Sequence, residues 1–274
     1  MELTELLSTE AALPSIPRVV ALLLSELSRE QPDLRKISQL ISSDPTLASR
    51  LLRLANGGAS PFSNAIGSIA EALAVLEMAE LRPLATAAAM AGTIRTVPGI
   101  HLQQFWRYSL NTAKLCRSLA ANVRQNQATA FTAGLVHAMG ELVMHIAMPA
   151  DVGSLNLMAG PFDQRRAKME QRMFGYTYAD VSAGLARQWH FPEVVVVALL
   201  HQVMPFENDV YEPLAGVVHL ASWRARANEA GLDEKALVVS FPDQVALVLG
   251  LDIDIVLQQD PIDWSARSGL GALI

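Results

Sequence analysis

The sequence predicts an all-α protein of two packed helical bundles, and three observations carry that prediction. Apolar residues recur at helical spacing along nearly the whole chain, and no stretch sustains the every-second-residue alternation of a half-buried strand. The breaks also fall at residues that end or start helices.

Taken in order, the periodic segments predict helices over about 3–10, 16–29, 33–43, 45–56, 66–79 and 80–95 in the first bundle. A further set over about 101–124, 127–147, 151–159, 163–174, 177–189, 192–203 and 209–230 builds the second, with a last helix over 242–250. The helix at 45–56 has the clearest ends. Asp44 can cap it, Pro45 fits its first position, and Asn56-Gly57-Gly58 supplies residues that tolerate left-handed terminal conformations. VPGIH at 97–101 breaks the chain, and Pro192 in HFPEV opens another helix. The expected organisation is an N-terminal helical subdomain over 1–97, a second bundle over 98–225 and a helical extension over 226–274. No repeat of 20 to 50 residues supports a solenoid.

Composition narrows the function. At 274 residues the chain can bury a sizeable core as one large domain or two small ones. Its 51% hydrophobic content and mean hydropathy of +0.26 raise the question of a membrane span. PLATAAAMAGTI (83–94) is too short and alanine-rich to cross a bilayer, and VVVVALLHQVMPF (194–206) is short and carries a His and a Gln. No membrane insertion is expected. Glutamates stand at the N-terminus where a secretory signal would carry positive charge, which predicts a cytoplasmic location. The single cysteine, Cys116, rules out an internal disulfide, and its helical neighbours place it in a core or groove rather than as a nucleophile. A net charge of -6 argues against nucleic acid as a partner; RQNQ and DQRRAK read as solvated helix faces.

The stretches LPSIPRVVALLLSEL, DLRKISQLISSDPTLASRLLRLAN and AIGSIAEALAVLEMAELRPLA, followed by FWRYSLNTAKLCRSLA, FTAGLVHAMGELVM and EQRMFGYTYADVSAGLARQWHFPEVVVVALLHQ, resemble the HDOD family. These are HD-related output domains of bacterial signalling proteins. The resemblance covers about residues 8–225 with its motifs in order. It implies a second bundle of the HD type, whose parent superfamily holds metals with histidines and aspartates from several helices and activates water against phosphate esters.

That resemblance assigns ligand places, and most have changed. Tyr108 stands where a histidine would, His137 is followed by Ala138 instead of an aspartate, and Tyr178 takes another histidine position. His201 remains, Gln202 replaces its histidine neighbour, and Ser222 replaces a late aspartate. Two imidazoles survive without a carboxylate, and a divalent ion loses the negative charge that favours it. The resemblance therefore implies a non-catalytic regulatory scaffold with no cofactor, whose partners are other signalling proteins or a second copy of itself. The rival reading is a metal-dependent phosphohydrolase or a cyclic-dinucleotide-binding protein that still uses the pocket.

Local readings compete with these roles. His137, Glu141 and His145 lie at i, i+4 and i+8, but joint ligation of one ion by all three is awkward. His137 is expected to point into the old pocket and bond a tyrosine or a backbone carbonyl, with Glu141 and His145 near the surface. The hydroxyls of Tyr108 and Tyr178 are expected to pair with the two imidazoles. Asp44, Arg53 and Asn56 are either capping and ion-pair residues or part of an inter-bundle groove that meets a partner. Met139, Met144, Met148, Met158, Met169 and Met173 read as gap-fillers or an adaptable interface.

Overall fold

The computed structural model describes residues 1–9, 11–58, 65–91, 96–207 and 209–258. The fold is all-α, as the periodicity predicts: helices make up 71% of it, and among the described residues the one extended pairing is an isolated bridge between Val97 and Ile100.

The first bundle is built from α2 (Pro17–Leu27), α3 (Leu34–Ile41), α4 (Pro45–Gly57), α5 (Ile69–Val75) and α6 (Met78–Ala91), after a short α1 (Leu3–Ser8). α2 packs on α3 and α6, while α4 packs on α5 and α6. Val19, Leu23, Ile37, Leu47 and Leu51 are wholly buried at their centre, each such side chain contributing about 1.5–3 kcal/mol. Leu76, with ψ 141, is extended and divides the helix expected over 66–79 from the one after it. The expected end of that next helix, at 92–95, lies outside the described residues.

The second bundle comprises α7 (Leu102–Asn122), α8 (Gln127–Val136), α9 (Met139–Ala147), α10 (Pro149–Met158), α11 (Arg166–Phe174), α12 (Tyr178–Gln188), α13 (Glu193–His201) and α14 (Pro213–Glu229). α7 packs along α8 and α14, α12 along α9 and α13, and α4 joins the bundles by packing on α8 and α7. Two glycines set the closest approaches. A Cβ on Gly134 would lie 2.7 Å from the Cys116 Sγ and 2.9 Å from the Ala113 Cα, and one on Gly140 would lie 2.2 Å from the Tyr178 carbonyl oxygen. Cys116 is buried between α7 and α8, and burial pushes its thiol well above the ordinary range, consistent with a core role. The stretch Gln127–Ala147 is long and apolar enough to cross a membrane by composition, but 89% of its apolar window is buried inside the fold.

Three boundaries differ from expectation. The helix expected over 127–147 is broken: Ala138, at φ -101 and ψ 12, separates α8 from α9. α1 belongs in space to the second bundle, because it packs on α12, the Leu7 carbonyl accepts from Gln188 and the Met1 carbonyl accepts from Tyr176. The division at 225/226 falls inside α14, which continues to Glu229. Two short helices beyond it, α16 (Asp243–Leu249) and α17 (Ile253–Leu257), pack on α14, and between them and α14 lies α15 (Glu234–Ser240). The rest of the expected extension, 259–274, lies outside the described residues.

Candidate functional site

The break between α8 and α9 positions the centre of the site. His137 caps the end of α8, so its carbonyl, freed from the helical ladder, accepts from the Ser182 hydroxyl at 2.9 Å and from Gln202 Nε2 at 3.0 Å. The Ser182 hydroxyl also accepts the Gly140 amide at 2.9 Å. Gln202 and Ser182 thus satisfy backbone groups that the break would leave orphaned.

The His137 ring is fully buried, with Nδ1 2.7 Å from the Gly134 carbonyl. A carbonyl only accepts, so Nδ1 carries the proton and Nε2 keeps a lone pair; that lone pair has no hydrogen-bond partner among the described residues. Burial pushes His137 down to about 3, so the ring is neutral. The ring of Tyr108, from α7, meets it edge-on with centroids 4.8 Å apart. Of the two alternative partners expected for His137, a tyrosine or a backbone carbonyl, the ring bonds the carbonyl.

The hydroxyls of Tyr108 and Tyr178 do not pair with imidazoles. Both accept from Nη2 of Arg226, at 3.2 and 3.1 Å, and the guanidinium carbon lies 5.9 Å from each ring centroid. Arg226 reaches in from α14, one turn beyond Ser222, whose own hydroxyl turns back to the His219 carbonyl at 3.0 Å. Burial opposes the Arg226 charge, yet Tyr108, Tyr178 and Glu141 together hold its pKa above the ordinary value. A bidentate bond between Arg107 and Glu229, at 2.7 and 2.5 Å, ties α7 to the end of α14 and fixes this approach.

A second buried network lies beside the first. Arg166, on α11, is wholly buried; it donates to Glu170 at 2.9 Å, to the Ala159 carbonyl at 2.8 Å and to the Asn156 side chain, and lies 3.8 Å from Glu141. The other Glu170 oxygen accepts the Tyr178 amide at 2.8 Å, tying the two networks together. Burial and the neighbouring Glu141 push Glu170 up to about 7, and burial raises Glu141 as well.

Glu141 and His145 correct the expectation that they lie near the surface: they are only 3% and 1% exposed. The break turns α9 into the bundle, and Arg166 supplies the counter-charge that a buried carboxylate needs. His145 Nδ1 pairs with the Glu141 carbonyl at 2.8 Å, and burial pushes this histidine down to about 4. The ring of His201, half-buried at the end of α13, makes no hydrogen bond among the described residues. A different histidine, His219, is drawn in, its Nδ1 2.7 Å from the Gln202 carbonyl.

The donor set does not fit the metal that the HD resemblance implies. Among the described residues no three histidine, cysteine, aspartate or glutamate side chains are placed to hold an ion. The imidazole lone pair without a partner, His137 Nε2, belongs to a ring packed against Tyr108, which bonds a guanidinium, and the nearest buried carboxylate, Glu141, lies by Arg166; these fixed positive charges repel a divalent cation.

In the first bundle, Asp44 is fully buried and accepts three amides, from Ile16 at 2.6 Å, Thr46 at 2.8 Å and Leu47 at 3.0 Å. Burial pushes its carboxyl up to about 6, and the amides with Arg50 limit the rise. Asn56, 4% exposed, donates to the Ile66 carbonyl at 3.1 Å and accepts the Ile66 amide at 2.8 Å. Both side chains are spent on backbone groups inside the fold, the capping role that is the alternative to a groove role. Arg53 is exposed and lines a groove of about 740 Å³.

Sequence reasoning missed Arg166, Glu170 and Arg226. One signal existed for the last: Arg226 follows Ser222 by four residues, so the two share a helix face.

The chain is 27% identical over 218 residues to an uncharacterized protein of Treponema pallidum (strain Nichols), a match covering 77% of this chain and 42% of that one; the chain thus spans less than half of its relative. Its fold resembles the MmoQ response regulator of Methylococcus capsulatus str. Bath, with a TM-score of 0.72 and 24% identity over 90% of this chain and 98% of that one. It also resembles a protein of Shewanella amazonensis SB2B provisionally named a phosphohydrolase, with a TM-score of 0.55 and 27% identity over 99% and 96% of the two chains. The HDOD domain matches residues 13–205, the greater part of the chain and the same motifs that place Tyr108, His137 and Tyr178 around one pocket; the protein belongs to the HDOD domain family.

Proposed function

We propose that the protein is a non-catalytic signalling module of the bacterial cytoplasm, which acts through contacts with other proteins and keeps its inherited pocket as a packing device. The observation that carries this reading is Arg226. Its guanidinium bonds the two tyrosines that replace ligand histidines, so the pocket supplies its own cation in place of a metal. Membership of the HDOD family and likeness of fold to a response regulator support a place in signal transduction.

The rival is a phosphohydrolase or cyclic-dinucleotide reading, favoured by the bare lone pair on His137 Nε2 and by likeness to the Shewanella amazonensis protein. Elemental analysis, assays of a chromogenic phosphodiester with manganese or iron, and melting curves with cyclic dinucleotides separate the two. We expect substoichiometric metal, no turnover and no saturable shift. Stoichiometric metal with turnover, or a melting shift that saturates with a cyclic dinucleotide, would overturn the proposal, because a ligand bound only by the folded state raises its stability.

A further inference from the structure

We propose that the groove between α4 and α6 docks an acidic amphipathic helix of a partner protein, with its carboxylates on Arg53 and Arg50 and its apolar face on Leu54, Leu84 and Trp189. The inference deepens the protein-contact reading above and rests on it.

Charge is the first argument. Arg50 and Arg53 are one turn apart on α4, where side chains three residues apart are neighbours. Arg50 gives one long bond, 3.4 Å, to the Leu13 carbonyl, and Arg53 makes no hydrogen bond or ion pair among the described residues. Among the described residues one carboxylate lines the groove, that of Glu80, and it accepts the amide of Glu77, the residue just before α6, at 2.8 Å. Among the described residues no carboxylate bridges the two guanidiniums at this opening, on a chain whose net charge is -6; the buried Asp44 acts on Arg50 from behind, which leaves Arg53 as the freer charge. Each of them offers a fork that matches a carboxylate.

Shape is the second argument. The groove holds about 740 Å³, and its walls are apolar: Leu54 is 37% exposed, and Leu84 and Leu13 lie deeper at 8% each. Gly57, Gly58 and Ala87 add almost no side chain to its lining, so a partner backbone can approach closely. Trp189, at the end of α12, also lines the groove, so the second bundle contributes to its wall. Apolar anchors within a charged rim are what a helix-in-groove contact uses, with aromatic residues and arginine prominent among the residues that dominate binding.

Selection of a displayed library of 16-residue peptides on the immobilised full chain tests the proposal. We expect enriched sequences to combine apolar residues at helical spacing with Asp or Glu. Synthetic copies of them should bind Arg53→Glu at least tenfold more weakly than wild type, yet bind the control Arg172→Glu unchanged, and should shift a tryptophan emission that is lost in Trp189→Phe. Enrichment of basic or uncharged peptides, no enrichment, or equal binding to Arg53→Glu would overturn it. So would sedimentation showing a dimer that Arg53→Glu dissociates, because the occupant would then be a second copy. Failure here leaves the non-catalytic reading standing; that reading falls only to the metal, turnover and nucleotide measurements.

Discussion

At the scale of single residues, the pocket is governed by which polar atoms find partners. His137 and His145 are buried and held neutral, down at about 3 and about 4. Their ring proton resonances are therefore expected to stay fixed between pH 8 and pH 5 in a nuclear magnetic resonance titration, and movement with a midpoint near 6.5 would show solvated rings. Asn56 pairs with both backbone groups of Ile66, so Asn56→Ala should leave two polar groups short of partners and cost about 2–3 kcal/mol in urea unfolding. A loss of partner binding without loss of stability would return Asn56 to the interface. Ala138 is wholly buried; Ala138→Asp restores the family's signature pair but adds a carboxylate to an apolar helix junction, at a cost of roughly 3 kcal/mol. It should not create phosphodiesterase activity, because Tyr108, Tyr178 and Ser222 still fail to supply ligands and Arg226 still occupies their centre.

Elements are positioned by close approach as much as by hydrophobic periodicity. Residues 127–147 read as one helix because apolar residues keep helical spacing through the stretch and no proline interrupts it; the break at Ala138 exists because Ser182 and Gln202, far away in sequence, take over the His137 carbonyl. α9 then lies against α12 with Gly140 facing the Tyr178 carbonyl. Gly140→Ala must push these helices apart, since its Cβ would sit 2.2 Å from that oxygen and 2.7 Å from the Ser182 nitrogen. We expect it to lower stability by about 3 kcal/mol or more, despite the better helix propensity of alanine. An unchanged melting temperature would mean that the two helices are not packed this closely. α15 and α17 lie outside the helices the periodicity predicts, yet each carries a local start signal, since Asp233 and Asp252 are N-caps that accept the Ala236 and Ile255 amides.

For the whole molecule, the buried ionisable groups set the pH profile by opposing one another. The two histidines have folded pKa values below the unfolded value, so the stability present above about pH 6.5 is lost as pH falls, by about 1.4 kcal/mol per unit for each ring. Glu170, raised to about 7, acts in the opposite sense: its contribution is full below about 4.5 and is lost as pH rises through 7. Asp44, raised to about 6, works in the same direction as Glu170. Urea unfolding should therefore show a plateau between about pH 4.5 and 6, where two rings oppose two acids, and a loss of about 1.4 kcal/mol from pH 4 to 3, where His137 alone still titrates in the fold. A continuous rise of several kcal/mol from pH 5 to 7 would show that the acids ionise in the fold without cost.

The sequence alone determined the fold class, nearly all of the helices and the family, since hydrophobic period, caps and motif order are local signals. Tertiary structure decided what fills the pocket at His137. Arg226 and Arg166 read as ordinary surface arginines in sequence, and only the docking of α14 and α11 on the bundle sets Arg226, half-buried, against Tyr108 and Tyr178 and buries Arg166 against Glu141 and Glu170. The same holds for Asp44 and Asn56, whose polar side chains look available until the distant backbone of Ile16 and the nearer loop at Ile66 claim them. A buried polar group is defined by its partners in space, and those partners carry no signature in the linear pattern.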